Sequence, residues 1–262
     1  MMKLTIYQVD AFAEQVFKGN PAAVIPLEDW IEDDLMQQIA MENNLSETVF
    51  FVKTDAGYHI RWFTPEYEID LCGHATLASA YIIKNFMEPH IQEINFTTQK
   101  AGVLKAAAKN GLYTLDFPSR MPEPCQVPDN LLKSIGATAA VEVLRSRDYF
   151  VVLPNEEAVR NVEPDYALMS ELDAVGVIVT AKGHEADAVS RCFYPGAGIP
   201  EDPVTGSAHC NVVPYWSEKL GKTKMFCRQL SPRGGDLQCE LAGDRVLMSG
   251  KCVLYLQGEI TV

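Results

Sequence analysis

Arg61-Trp62-Phe63-Thr64-Pro65, followed by Cys72-Gly73-His74-Ala75, has a second copy in Arg191-Cys192-Phe193-Tyr194-Pro195, followed by Thr205-Gly206-Ser207-Ala208. In each copy an R-x-F-x-P stretch of strand character leads through a small-residue turn into an apolar run. Phe96-Thr97-Thr98-Gln99 and Phe226-Cys227-Arg228-Gln229 extend the correspondence at a comparable distance after each glycine. A block present twice in 262 residues predicts two similar lobes. Two lobes in turn predict a cleft, where small-molecule sites preferentially form.

Outward from the first copy, residues 74–86 carry small or apolar side chains on nearly every face, which predicts a helix buried all round. Strand-like stretches flank it, so a sheet wrapped around a central helix is expected. The second copy runs from about Ser207 to Leu220, ending at Gly221; Pro214 inside it is expected to kink or limit the helix, because proline lacks a backbone donor. Residues 3–10 and 22–27 read as strands around Lys18-Gly19-Asn20-Pro21, and Glu32-Asp33-Asp34 opens a helix with the acidic first turn its dipole favours. Residues 47–53 and 58–64 read as a hairpin, 112–118 as a strand, and the prolines at 118, 122, 124 and 128 as an inter-lobe linker. The predicted fold class is α+β, with a first lobe over 1–118, a second over 119–249, and the strand 250–262 expected to return to the first.

The net charge of −13 and the lack of a basic stripe argue against nucleic acid as a partner. No apolar run is long enough to span a bilayer, and the strand-like N-terminus has no apolar core of a signal peptide. Seven scattered cysteines without a C-x-x-C spacing suit free thiols in a reducing cytoplasm rather than a disulfide framework or a metal site.

Three stretches carry candidate chemistry. Glu47 starts the apolar run Thr48-Val49-Phe50-Phe51-Val52, where burial would raise a carboxyl pKa toward that of an acid/base catalyst. An exposed strand-start glutamate, or one turned toward Ser46, is the ordinary alternative. His74 opens the buried helix, whose free N–H groups suit a carboxylate; a histidine packed at a helix start is equally open. Glu201-Asp202-Pro203-Val204-Thr205-Gly206-Ser207-Ala208-His209 is the densest cluster. Gly206 would admit a ligand close to the backbone and Ser207 could bond it, although Thr205 and Ser207 could equally cap the second helix. Arg233-Gly234-Gly235 reads first as a tight turn, and no triad, P-loop or dinucleotide fingerprint is present.

Together these pieces resemble the PhzF family of phenazine biosynthesis-like proteins, within the diaminopimelate epimerase fold superfamily. The resemblance rests on Val9-Asp10-Ala11-Phe12, Gly19-Asn20-Pro21-Ala22-Ala23-Val24, Leu45-Ser46-Glu47-Thr48 and Cys72-Gly73-His74-Ala75-Thr76, then on Arg191-Cys192-Phe193, the 201–209 cluster and Arg233-Gly234-Gly235, in the expected order. It implies two pseudo-symmetric lobes, each a mixed sheet rolled around a central helix, a homodimer, and no cofactor. It also implies Glu47 as general acid/base, assisted by His74 and Asp202, with Asn20, Ser46, Cys72, Gly73, Thr205, Gly206 and Ser207 holding a small anionic substrate. The related epimerases use two cysteines; here Cys72 matches the first and Thr205 the second, and a hydroxyl is too weak an acid to replace a thiol. A cofactor-independent isomerase that moves a proton or double bond is therefore the expectation. Amino-acid epimerisation, or a non-catalytic binding protein on the same fold, are the alternatives.

Overall fold

Glu47-Thr48-Val49-Phe50-Phe51-Val52 is buried without interruption, the pattern of a strand covered on both faces. Around it, a computed structural model describing residues 1–262 divides into two units, Met1–Asp116 with Ser249–Val262, and Phe117–Met248.

The first unit contains β1 (Lys3–Ala11), β2 (Asn20–Leu27), α1 (Asp33–Asn43), β3 (Glu47–Thr54), β4 (Gly57–Phe63), β5 (Glu68–Ile69), α2 (Gly73–Ile82), β6 (Glu93–Thr97), β7 (Val103–Lys109) and β8 (Leu112–Pro118). β1 and β2 are antiparallel, β2 and β3 parallel across α1, β3 and β4 antiparallel, and β4 and β6 parallel across α2; β7 and β8 follow antiparallel. The second unit contains β9 (Glu123–Pro124), α3 (Leu131–Ser134), β10 (Glu142–Arg145), β11 (Tyr149–Val152), α4 (Glu156–Arg160), α5 (Tyr166–Met169), β12 (Val177–Lys182), β13 (Ala188–Tyr194), β14 (Ile199–Asp202), α6 (Gly206–Leu220), β15 (Lys224–Gln229), β16 (Gly235–Ala242) and β17 (Arg245–Gly250). Its pairings follow the same order: β10 and β11 antiparallel, β11 and β12 parallel, β12 and β13 antiparallel, β13 and β15 parallel across α6, then β16 antiparallel. The sequence repeat is thus a repeat of topology. The last strand, β18 (Cys252–Thr261), pairs antiparallel with β1.

In both units a strand arginine fixes the chain that leads to the central helix. Arg61 gives Nε and Nη2 to both oxygens of Glu68 at 2.7 Å and Nη1 to Asp33 at 2.7 Å. Arg191 gives Nε and Nη2 to Glu201 at 2.7 and 2.9 Å. Each guanidinium also lies over the phenylalanine two residues on, Phe63 at 5.2 Å and Phe193 at 5.1 Å. A bidentate pair held on an aromatic face leaves the following loop little freedom.

All residues of α2 except Gly73 and Tyr81 are buried, as its composition predicts. α6 has the expected extent, continuing through Pro214, which does not limit it, to Gly221, which caps it in the left-handed conformation. Pro214 cannot serve the carbonyl of Cys210, and the backbone N–H of Arg120 takes that oxygen at 2.8 Å instead. No helix is long and apolar enough to cross a membrane.

Candidate active site

The first unit places Glu47 at the start of β3, in parallel register with Ala22, and Asn20 at the start of β2. The β1–β2 turn reaches Asn20 through Gly19, at φ +66°, where an added Cβ would lie 2.1 Å from the Ala11 carbonyl; only glycine fits that approach. The segment released from β5 delivers Cys72, Gly73 and His74 to the beginning of α2.

These residues meet. His74 Nε2 lies 3.1 Å from Glu47 Oε2, and His74 Nδ1 lies 3.0 Å from Asn20 Nδ2 and 3.4 Å from Cys72 Sγ. Ser46 Oγ donates to Asn20 Oδ1 at 3.4 Å. In the neutral ring this arrangement has Nδ1 accepting from the Asn20 amide and the proton on Nε2, facing Glu47. Glu47 and His74 are 5% and 4% exposed, and neither Oε2 nor Nε2 is aligned for a hydrogen bond within the protein. Two buried polar atoms with unfilled hydrogen-bonding capacity are unusual.

Burial opposes a charged His74, but Cys72 and Glu47 beside it outweigh burial and hold its pKa well above the ordinary value. A second proton on Nδ1 requires the Asn20 amide to turn its oxygen to the ring. Cys72 is a neutral thiol at physiological pH: burial first, then the neighbouring Glu47, pushes it up to about 11. Donor atoms of Glu47, Cys72 and His74 fall within 4.8 Å of one another. They do not converge on one point, however, because Sγ addresses Nδ1 and the carboxylate addresses Nε2, whose lone pairs diverge. The imidazole bridges thiol and carboxylate; it does not complete a three-ligand cage.

The second unit gathers Asp202, Thr205, Gly206 and Ser207 at the start of α6. Thr205 does not cap the helix through its side chain; its hydroxyl donates to Asp202 Oδ2 at 2.6 Å. Gln229, at the end of β15, accepts from Thr205 N at 2.9 Å and donates to the Asp202 carbonyl at 2.6 Å. His209 Nδ1 donates to the Thr205 carbonyl at 2.8 Å, and its Nε2 is buried without a partner.

A protein-family model described as PhzC-PhzF, phenazine biosynthesis-like protein, matches residues 9–258. The chain belongs to this family. A Pseudomonas aeruginosa relative named as an uncharacterized isomerase is 47% identical over 259 residues, covering 99% of each chain. A crystal structure of a phenazine biosynthesis PhzF-family protein from Enterococcus faecalis superposes with a TM-score of 0.97 at 48% identity, covering 100% of both chains. A hydroxyproline epimerase from Agrobacterium vitis shares the fold alone, with a TM-score of 0.65 at 10% identity over 98% of this chain and 92% of that one. The fold of this PhzF-family chain is thus α+β and diaminopimelate epimerase-like.

Sequence reasoning assigned Gln229 only as an echo of Gln99. The structure separates the two, with Gln229 fully buried as the staple of the 202–205 turn and Gln99 exposed. His209 closed the quoted cluster without a role, and its spacing of four from Thr205 was the available signal for the contact it makes with that residue's carbonyl.

Proposed function

We propose that this PhzF-family chain is a cofactor-independent isomerase that moves a proton, and with it a double bond, within a small unsaturated carboxylate. The observation that carries this reading is the buried Glu47–His74 pair, 3.1 Å apart, whose facing atoms lack aligned hydrogen bonds while Asn20 holds the other ring nitrogen. Glu47 takes a proton as one C–H bond breaks, the electron pair shifts along the conjugated system, and the Glu47 carboxyl, exchanging its proton with solvent between the two steps, delivers a proton to form a C–H bond at another carbon. No oxidant or reductant is consumed. His74, with a proton on Nε2, steadies Glu47 in its carboxylate form. Asp202, Thr205, Gly206 and Ser207 are the second unit's candidates for holding substrate in this reading, as the family resemblance implies. The name isomerase carried by the Pseudomonas relative supports the reaction class. Two-thiol epimerisation is disfavoured, because Cys72 stays protonated and the Thr205 hydroxyl is committed to Asp202.

Proton NMR in D₂O with cyclic dienoic and amino-acid carboxylates tests this, with Glu47→Gln alongside. Deuterium is expected at a ring or chain carbon with the unaltered protein and not with the variant, whose rate should drop by at least ~10²-fold. Exchange that persists in Glu47→Gln would sink the assignment, and label confined to an α-carbon with loss of optical activity would favour epimerisation. The homodimer implied by the family resemblance is checked by light scattering on the eluted protein.

A further inference from the structure

The end of β15 and the residues just after it deliver two side chains, Gln229 and Ser231, to the turn that leads from Asp202 into α6. Gln229 is fully buried, and one orientation of its amide satisfies every contact it makes. Oε1 accepts from Thr205 N at 2.9 Å, while Nε2 donates to the Asp202 carbonyl at 2.6 Å and to Thr205 Oγ1 at 3.2 Å. Turning the amide over would set N–H against N–H and oxygen against oxygen. A hydroxyl has a single hydrogen to give. Because Gln229 donates to a lone pair of Thr205 Oγ1, that hydrogen is directed at Asp202 Oδ2, 2.6 Å away. The result is an ordered relay, from amide N–H to hydroxyl oxygen and from hydroxyl hydrogen to carboxylate.

Ser231 repeats the arrangement one peptide along. Its Oγ accepts from Gly234 N at 3.1 Å and donates to the Pro203 carbonyl at 2.7 Å. Gly234 turns the chain at φ +66°, which favours glycine, so the Arg233-Gly234-Gly235 turn is part of the scaffold of residues 202–205. With His209 Nδ1 on the Thr205 carbonyl at 2.8 Å, the carbonyls of Asp202, Pro203 and Thr205 are all held. The two relays differ in where they end. Ser231 ends on a neutral carbonyl, whereas Gln229 acts through Thr205 on a carboxylate, the stronger kind of acceptor. A hydrogen given to the ionised form of an acid favours that form. The Cys192 thiol and the Tyr194 phenol near Asp202 are uncharged, because burial pushes both up. Glu201, next in the chain, is committed to Arg191, and Asp148 to Arg147.

We propose that Gln229 is a positioning residue for the reaction: through the Thr205 hydroxyl it aims a hydrogen at Asp202 and keeps that residue a carboxylate. The inference deepens the proposed function, in which Asp202 is a candidate for holding substrate, by assigning the charge Asp202 carries and the residue that sets it. Asp202 then meets the substrate as an acceptor and a negative charge, not as an acid. Thr205, at the place of the second epimerase thiol, passes on the effect of Gln229 and gives no proton to carbon.

The test follows the Asp202 carboxyl by NMR through a pH titration of protein labelled with ¹³C in its aspartate side chains, with Asp202→Asn identifying the signal. It needs no substrate, so it is separate from the test of the isomerase reading; exchange that persists in Glu47→Gln would sink that reading and leave the relay intact. Gln229→Met and Thr205→Val each break the relay. In both, the Asp202 carboxyl should keep its proton to a pH higher by about one unit, a tenfold change in proton affinity. Thr205→Ser keeps the hydroxyl and should titrate as the unaltered protein does. Ser231→Ala loosens the same turn without touching the relay and should leave the titration in place. A titration unmoved in the folded variants among Gln229→Met and Thr205→Val, or moved as far in Ser231→Ala, overturns the assignment.

Discussion

Lowering the pH from 7 to 4 should destabilise this protein through His209, and the size of the effect follows from where that ring sits. His209 is completely buried. Burial outweighs its bond to the Thr205 carbonyl and lowers its pKa from 6.5 to about 4. The unfolded chain therefore takes up a proton as pH falls through about 6.5, while the folded chain stays neutral until about pH 4. The stability that depends on neutral His209 is fully present above about pH 6.5 and is lost as pH falls toward 4. A depression of about 2.5 pKa units corresponds to roughly 3 kcal/mol by pH 4. Other groups titrate in the same window, so the informative quantity is a difference. His209→Asn keeps a side-chain N–H for the Thr205 carbonyl but cannot titrate. Urea unfolding of both proteins between pH 7 and pH 4 should show their stability difference shifting by about 3 kcal/mol in favour of the variant as the pH falls. A difference that stays constant within about 0.5 kcal/mol would refute a buried neutral His209, and with it the argument that this ring holds the turn carrying Thr205.

His74 should act in the opposite sense. Its folded pKa is raised, so the stability it contributes is present below about pH 6.5 and is lost as pH rises through the folded value; His74→Gln should lack that component in the same unfolding series. Asn20→Ala leaves Cys72 Sγ as the remaining contact of His74 Nδ1 and should lower kcat for proton exchange by roughly ten- to a hundredfold with little change in KM, whereas a raised KM beside the loss in kcat would mean that Asn20 binds substrate directly. Arg61→Lys breaks the bidentate grip on Glu68 and the contact with Asp33; a loss of about 2 kcal/mol is expected in urea unfolding, and an unchanged midpoint would show the clamp to be decorative. Pro214→Ala should gain less than about 1 kcal/mol, far below the ~3 kcal/mol ordinarily recovered when a proline leaves a helix interior, because Arg120 already satisfies the Cys210 carbonyl.

The fold was legible because its deciding features are local. An arginine followed two residues later by phenylalanine, a small-residue turn and an apolar helix each leave a mark within a dozen residues, and the mark occurs twice. The buried helix α2 was readable for the same reason, since a segment with no polar face has only one place to go. What the sequence could not carry was partnership across the chain. Nothing near Gln229 announces that it will staple residues 202 and 205, and Gln99, its counterpart in the repeat, does nothing comparable. How α6 runs through Pro214 was not readable locally, because Arg120, 94 residues away, takes the carbonyl that Pro214 leaves unserved.

The duplication also explains why the two halves need not do equal chemistry. Cys72 and Thr205 occupy equivalent places, each immediately before its central helix, yet their surroundings have diverged. Cys72 sits against an imidazole that lies beside Asn20 and faces Glu47, so in the proposed reaction the acid/base work falls to the carboxylate–imidazole pair, while the thiol, its pKa pushed up to about 11, stays neutral. Thr205 sits between Asp202 and Gln229, donating its hydroxyl to one while the other takes its backbone N–H. A reaction needing one acid and one base of matched strength on opposite faces of a carbon would require these positions to remain chemically alike. A reaction in which a single carboxylate removes and returns the proton places no such demand on Thr205.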